Sequence, residues 1–322
     1  MTVPSIEEAM PEQPTPAERA PARHAAASAA RLLAPEVLAG LANLPLAARV
    51  AVEGTLVGLH RSPRLGFSQE FVEYRAYMEG DDPRFIDWNV YARTDRTVIK
   101  RFLGETNSHL MLLLDASASM GYGAPGLSKF RYAQLLAASL AYLASRQHDA
   151  VGLLVFDEAV RELRAPSART GQLEGVLHLI ERAAPAHRTD YRQPVERFRS
   201  HSARRGMVAL LSDFYCDPAA LIDSVRPLAF QGSDVMLFQI LHPRELEPAL
   251  RDGALLEDME TGEQVEVSAE YARRVYPARV RRHVQALRDA AAAAGADHLL
   301  LDTSQPLAVP LRQYLRFRER RR

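Results

Sequence analysis

The sequence contains one cysteine, Cys216, and two lysines, Lys100 and Lys129, among 322 residues. A single cysteine excludes a disulfide framework and favours a reducing compartment. The 40 basic and 40 acidic residues cancel, so no global charge points to nucleic acid or to an anionic membrane surface. The longest predominantly apolar run, residues 135–144, has about half the length that crosses a bilayer. We therefore expect a cytoplasmic protein with no transmembrane segment and no nucleic-acid partner.

Composition divides the chain into four segments. Residues 1–34 are rich in Ala, Pro and Glu and predict a disordered N-terminal arm. Residues 35–108 predict two short helices followed by a small charged strand–helix–strand segment. Residues 109–305 carry the main domain, and residues 306–322 form a basic C-terminal tail rich in arginine.

The main domain alternates buried strands with amphipathic helices. Four short apolar runs, at residues 110–114, 150–156, 207–211 and 235–241, predict strands buried on both faces. Leu and Val residues at helical spacing lie between them. This order predicts an α/β fold with a doubly wound, mostly parallel sheet covered by helices on both faces.

Two of the predicted strands end at an aspartate. Asp115 follows one run and Asp213 follows another, so in a parallel sheet both carboxylates would project from the carboxyl edge, where ligands bind in such folds. Ser117 and Ser119 add two hydroxyls in a loop of small residues. Hard oxygen ligands of this kind suit Mg²⁺ or Mn²⁺. The alternative is that both serines are turn or cap residues and hold no metal.

A further oxygen would come from a threonine in a loop of the same domain. Thr189, just before a predicted helix at residues 195–198, is the first candidate, and Thr170 is the second. The predicted metal-ligand set is therefore Asp115, Ser117, Ser119, Thr189 and Asp213.

This set resembles the metal-ion-dependent adhesion site (MIDAS) of von Willebrand factor A-like domains, whose pattern is D-x-S-x-S followed by a Thr and an Asp. The sequence DASAS at residues 115–119 completes the first part of that pattern. The resemblance implies that Ser117, Ser119 and Thr189 bind the metal directly. It also implies that Asp115 and Asp213 act partly through water molecules.

The segment before this domain resembles the hallmark of the bacterial family known as domain of unknown function 58. The matching residues are Glu70, Phe71, Arg75, Tyr77, Gly80 to Arg84, Ile86, Asp87, Trp88, Ala92, Arg93 and Thr94. The resemblance covers residues 35–305. Members are often encoded beside MoxR-type AAA+ ATPases, which implies a partner role in a chaperone-like or complex-assembly system.

Three functions are compatible with these patterns. The first is a non-catalytic, metal-dependent protein-interaction module whose metal accepts an acidic side chain from a partner protein. The second is a Mg²⁺-dependent phosphoryl-transfer hydrolase, which would need a nucleophile and an acid/base beside Asp115, whereas the chain offers Ser117 two residues on. The third is a metal-free scaffold. We expect the first, with no catalytic residue and with a MoxR-type ATPase as partner.

Overall fold

The computed structural model describes residues 34–41, 43–60, 71–78, 86–102, 109–201 and 205–320. The predicted N-terminal arm lies outside these residues apart from Ala34, as do the family-matching residues Gly80 to Arg84. None of the described helices combines the length and the apolar character needed to cross a membrane.

The helices and strands follow one another in this order: α1 (Pro35–Ala39), α2 (Leu44–His60), β1 (Phe71–Ala76), α3 (Trp88–Thr94), β2 (Val98–Phe102), β3 (His109–Asp115), β4 (Gly123–Ala124), β5 (Leu127–Ser128), α4 (Lys129–Arg146), β6 (Ala150–Phe156), β7 (Val160–Ser167), α5 (Gln172–Arg182), α6 (Arg192–His201), β8 (Met207–Ser212), α7 (Pro218–Phe230), β9 (Asp234–Leu241), α8 (Pro243–Leu246), β10 (Ala254–Glu257), β11 (Gln264–Val267), α9 (Ala269–Arg274), α10 (Tyr276–Ala293), β12 (Asp297–Asp302) and α11 (Ala308–Arg320).

A six-stranded sheet forms the centre of the domain, in the order β12–β9–β8–β3–β6–β7. All neighbouring pairs are parallel except β6 and β7, which are antiparallel at one edge. The four apolar runs predicted as strands are β3, β6, β8 and β9, and their side chains are almost entirely buried. The predicted α/β fold is confirmed, because helices pack on both faces of this sheet.

The two faces of the sheet bury different helices. On one face, α4 lies against β3 and β6 and is covered in turn by α2, α5 and α11. On the other face lie α6, α7 and α10, with Phe198, Val225 and Leu287 in the core. Ser128 begins α4 by accepting a hydrogen bond from the Arg131 backbone N–H, so the main core helix has a defined start directly after β5.

The C-terminal segment differs from the predicted basic tail. Residues 308–320 form helix α11, and Leu311, Tyr314 and Phe317 are buried in the core. Arg318 donates a hydrogen bond of 2.9 Å to Asp149, and both side chains are buried. The arginine content suggested solvent exposure, but the apolar residues recur at helical spacing and the pairing of Arg318 permits its burial.

The charged segment before the main domain forms a small antiparallel sheet. Strands β1 and β2 pair directly, and α3 lies between them in the chain. Trp88, the first residue of α3, is 61% exposed. Ile99 of β2 is buried, and its backbone pairs with that of Ile86 in an isolated antiparallel bridge.

Candidate metal site

The carboxyl edge of the central sheet brings the two strand-end aspartates together. Strands β3 and β8 are parallel neighbours, with Leu114 paired to Leu211, so both chains leave the sheet at the same edge. Asp115 is the last residue of β3, and Asp213 follows the last residue of β8. Both side chains are buried. The two carboxylates therefore lie at the same edge of the sheet, as expected from the sequence.

Ser212 connects the two strand ends through its hydroxyl. Its Oγ donates a hydrogen bond of 2.6 Å to Asp115 Oδ2. The same oxygen accepts from the Tyr191 hydroxyl at 2.8 Å and from the Phe214 N–H at 3.1 Å. A hydroxyl has one hydrogen and two lone pairs, so Ser212 is fully satisfied. It fixes the Asp115 carboxylate without adding any charge.

The DASAS loop folds back over Asp115. The Ser117 N–H donates to Asp115 Oδ1 at 2.8 Å, and the Ser117 and Ser119 hydroxyls lie 3.2 Å apart. Residues 118–121 make one 3₁₀ turn, which begins directly after Ser117. The two hydroxyls therefore point to the same small volume, beside a buried carboxylate.

When Asp115 is ionised, none of the groups that donate hydrogen bonds to it carries a compensating charge. Its hydrogen-bond donors, Ser117 N–H and Ser212 Oγ, are both uncharged. Burial, together with the negative charge of Asp213, raises the pKa of Asp115 to about 7. A cation beside Asp115 would stabilise its ionised form.

Lys129 neutralises Asp213 on the other side of the site. Its Nζ lies 2.7 Å from Asp213 Oδ2 and 2.6 Å from Glu245 Oε1, and its side chain is fully buried. The rings of Tyr215 and Tyr122 flank the ammonium, with centroids at 5.1 and 6.0 Å. Burial acts to lower the pKa of Lys129, but Asp213 and Glu245 outweigh it and raise the pKa above its usual value. Lys129 is therefore a permanently charged group.

Glu245 is held in position by the backbone of its own helix start. Its second carboxylate oxygen accepts from the His242 N–H at 2.8 Å, while the His242 side chain accepts from the Arg244 N–H at 3.2 Å. This capping box at the start of α8 fixes the carboxylate that contacts Lys129.

Thr189 lies in a segment that runs beside the DASAS loop. Ala118 N–H donates to the His187 carbonyl, and Ala186 N–H donates to the Ala116 carbonyl. The Thr189 hydroxyl itself donates to Glu260 Oε1 at 3.1 Å. These backbone hydrogen bonds bring the segment of Thr189 to the edge of the site. The Thr189 hydroxyl is hydrogen-bonded to the carboxylate of Glu260.

Thr170, the second candidate, lies at the opposite edge of the sheet. It follows β7, whose last residue Ser167 pairs with Val151 at the beginning of β6. Asp115 pairs instead with Phe156, at the end of β6. Because Thr170 comes three residues after Ser167, it is placed at the amino edge of the parallel strands. The structure therefore places Thr170 away from Asp115, and Thr189 stays the predicted ligand.

The residues present fit a small hard cation. Asp115, Ser117, Ser119 and Thr189 offer carboxylate and hydroxyl oxygens, which are the donors that Mg²⁺ and Mn²⁺ prefer. The site contains too few acidic side chains to qualify as a carboxylate-rich centre, since no group of three or more His, Cys, Asp or Glu residues among the described residues is arranged to hold a metal. Whether the five predicted ligands bind a metal stays a prediction.

Three residues that contact the predicted ligands were not predicted from the sequence: Lys129, Ser212 and Glu260. Lys129 was recognisable as one of two lysines and as a positive charge in the first turn of a helix, where the helix dipole disfavours it. Ser212 directly precedes a strand-end aspartate. Glu260 offered no local signal, because its position depends on how a distant hairpin folds back.

The sheet order, the antiparallel edge strand and the DASAS loop at the carboxyl edge define a von Willebrand factor A-like domain. The chain belongs to the family DUF58, described as a protein of unknown function, which matches residues 73–286. This match begins in β1 and ends in α10, so it includes the charged segment as well as most of the main domain.

Relatives and structural neighbours are uncharacterised or distant. Uncharacterized proteins of Mycobacterium bovis and Mycobacterium tuberculosis are 29% identical over 245 residues, which is 74% of this chain and 76% of theirs. The conserved hypothetical protein BatB of Bacteroides thetaiotaomicron is 15% identical, covering 66% of this chain and 99% of its own, with a TM-score of 0.45. The SpRpn10 VWA domain is 14% identical, covering 64% and 94%, with a TM-score of 0.40.

Proposed function

We propose that this protein is a non-catalytic protein-interaction module whose binding of a partner depends on Mg²⁺ or Mn²⁺ at the MIDAS-type site of Asp115, Ser117, Ser119, Thr189 and Asp213. The partner offers an acidic side chain, and the module acts as an adaptor of a MoxR-type AAA+ ATPase in chaperone-like or complex-assembly work. The fold class and the family support a role as an interaction module.

The observation that carries the proposal is the charge of a largely buried cluster. Asp115, Asp213 and Lys129 are buried, and the Glu245 side chain is 14% exposed. When its three carboxylates are ionised, the cluster carries a net charge of −2, because Lys129 supplies one ammonium. Asp115 receives its hydrogen bonds from uncharged groups and has a raised pKa. Unpaired buried charge is costly, and a divalent cation would balance it.

The roles of the side chains follow from their surroundings. When bound, the ion supplies an electrophilic position that accepts a carboxylate. Ser117, Ser119 and Thr189 hold it through neutral oxygens, so that its charge is not cancelled by the protein. Ser212 orients Asp115, and Lys129 offsets the charge of Asp213.

A non-catalytic role suits these groups better than phosphoryl transfer. A hydrolase needs an acid or base beside its nucleophile. At the corresponding position, two residues after Asp115, the chain has Ser117, whose hydroxyl contacts Ser119. Cys216 is the other nucleophile nearby, and burial raises the pKa of its thiol to about 12, so it stays protonated.

Thermal melting with added metal tests the metal dependence. A ligand that binds the folded state alone stabilises it by about 2.7 kcal/mol at a hundredfold excess over its Kd. We expect Mg²⁺ and Mn²⁺ to raise the Tm of the wild-type protein but not that of Asp115→Ala. Asp223→Ala removes an exposed carboxylate on α7 and should keep the full metal response. Equal responses of wild type and Asp115→Ala would contradict the proposal.

The ATPase partnership needs a test that does not rely on chelation, because the ATPase itself requires Mg²⁺. Binding of the purified MoxR-type ATPase from the same genome is measured by titration in constant Mg²⁺. We expect wild type and Asp223→Ala to bind equally and Asp115→Ala to bind at least tenfold more weakly. If Asp115→Ala binds the ATPase as tightly as wild type does, the metal has no role in this interaction.

One observation favours a second function, the metal-free scaffold. Lys129 already neutralises Asp213, so part of the role of a metal is filled by a side chain. In that case the Tm of the wild-type protein would be insensitive to both cations, and partner binding would survive in Asp115→Ala.

A further inference from the structure

The hairpin of β10 and β11 contacts the segment that carries Thr189, beside the candidate metal site. It follows β9 and α8 in the chain, and its strands pair from Ala254 with Val267 to Glu257 with Gln264. Gly262 has a positive φ of 72°, which the turn requires. The tip residues 258–263 therefore form a compact turn at the free end of the hairpin.

Glu260 at this tip binds Thr189 with both carboxylate oxygens. Oε1 accepts from the Thr189 hydroxyl at 3.1 Å, and Oε2 accepts from the Thr189 N–H at 3.3 Å. The Glu260 carbonyl accepts from Arg188 Nε at 3.3 Å. Two of these contacts join the hairpin tip to Thr189 and the third joins it to Arg188, in the segment that runs beside the DASAS loop.

Met259 extends the same contact to the loop itself. A methyl group added to Gly121, at the end of the 3₁₀ turn, would meet Met259 Cε at 3.6 Å and Pro185 Cγ at 3.4 Å. The hairpin tip thus has two contacts beside the site, Glu260 with Thr189 and Met259 with the end of the 3₁₀ turn at Gly121.

The body of the hairpin is held loosely. Leu256 and Val265 lie opposite each other on one face and are 42% and 53% exposed. A two-stranded ribbon is marginally stable by itself. The tip can therefore leave the site at a small cost in buried apolar surface, while the central sheet stays unchanged.

We propose that Glu260 is an internal acidic ligand of this site, which occupies the position that a carboxylate of the partner takes and must leave before the partner binds. This inference rests on the proposed metal-dependent function. It adds a third acidic residue to the set that contains Asp115 and Asp213, and it makes the hairpin of β10 and β11 the element that controls access to the site.

Mn²⁺ provides a readout that needs no identified partner. The relaxation of water protons rises with the number of water molecules on bound Mn²⁺. Glu260→Gln keeps the size of the side chain but removes its charge, so a water molecule should replace the carboxylate. We expect the saturated variant to show a higher relaxation rate than wild type, equivalent to about one more coordinated water. Glu263→Gln makes the same change on an exposed residue of the same tip and should match wild type.

Acetate then serves as a probe for the vacated position. Added acetate should lower the relaxation rate of Mn²⁺-loaded Glu260→Gln, because it displaces the new water. It should have little effect on wild type or Glu263→Gln, where Glu260 already fills the position. Circular dichroism melting of the metal-free proteins checks that the three proteins are equally folded.

The outcomes separate this inference from the proposed function. If wild type binds Mn²⁺ but Glu260→Gln and Glu263→Gln behave alike in both measurements, Glu260 is not a ligand and the metal-dependent function stands. If wild type binds no Mn²⁺, both proposals are overturned.

Discussion

Lys129 Nζ and Asp213 Oδ2 lie 2.7 Å apart, and the two side chains are 0% and 2% exposed. This ion pair joins the start of α4 to the end of β8, directly beside the DASAS loop. A lysine in the first turn of a helix opposes the helix dipole, so its position reflects the two carboxylates that surround it. The ammonium of Lys129 therefore supplies one positive charge at the carboxyl edge of the sheet without any bound ion.

Removing this ammonium should strongly destabilise the protein. Lys129→Met keeps an apolar stem of similar length but leaves Asp213 and Glu245 buried without a counter-charge. Breaking a buried pair in this way costs about 3–5 kcal/mol. We expect urea denaturation to show a loss of that size, whereas Arg146→Met, an exposed change on the same helix, should have little effect.

A compensating variant checks that charge is the cause of this loss. The triple variant Lys129→Met, Asp213→Asn, Glu245→Gln removes all three charges of this ion-pair network, and most of the stability should return, because neutral replacements of buried ion pairs are often tolerated. A triple variant that is less stable than Lys129→Met would show that packing, not charge, is decisive here.

The fold was predictable because its signals are local. Each central strand is a short apolar run, and the end of α10 is marked by Gly295, which has the positive φ typical of a helix stop. The two strand-end aspartates required one additional assumption, that both strands are parallel and central. Parallel pairing of β3 with β8 meets that assumption.

The details of the site were not predictable because they depend on residues far apart in the chain. Lys129 meets Asp213 across 84 positions, and Thr189 meets Glu260 across 71. No periodicity or spacing encodes such contacts. The same limit explains helix α11, where Arg318 is buried because it meets Asp149, 169 positions earlier.

Thr189 and Thr170 offer a matched pair for testing the metal ligands. Thr189→Val removes a hydroxyl beside the DASAS loop, whereas Thr170→Val makes the same change at the opposite edge of the sheet. Calorimetric titration with Mg²⁺ should show a Kd raised at least about tenfold by Thr189→Val, the lower end of the range for disturbed metal sites. Thr170→Val should leave the Kd at its wild-type value, and similar effects of the two changes would exclude Thr189 as a ligand.

The C-terminal helix should contribute to stability through Arg318. Arg318 is 6% exposed and pairs with Asp149 and Gln147. Arg318→Ala leaves the Asp149 carboxylate buried without this partner, and we expect a loss of about 3 kcal/mol in urea denaturation. Arg316→Ala, an exposed change on the same helix, should cost less than about 0.5 kcal/mol. If Arg318→Ala and Arg316→Ala lose the same free energy of unfolding, the Arg318–Asp149 ion pair does not contribute to stability.

His298 should make the stability depend on pH. Its Nε2 lies 3.0 Å from Gln239 Oε1 and therefore carries the hydrogen, while its buried Nδ1 has no partner within the described part of the chain. Burial, followed by the positive charges of Arg288 and His283, lowers the pKa of His298 from 6.5 to about 4. Between pH 6.5 and pH 4 the unfolded chain binds a proton that the folded protein does not. The contribution of His298 to the free energy of unfolding must therefore fall as the pH falls through this interval, and it must level off below pH 4.

Urea denaturation at pH 7.5, 6 and 5 measures this effect. His298→Gln cannot take up the proton, so its midpoint should fall less between pH 7.5 and pH 5 than the wild-type midpoint. His178→Gln, an exposed substitution on α5, should follow the wild-type profile. Parallel pH profiles of wild type and His298→Gln would place the acid sensitivity elsewhere in the protein.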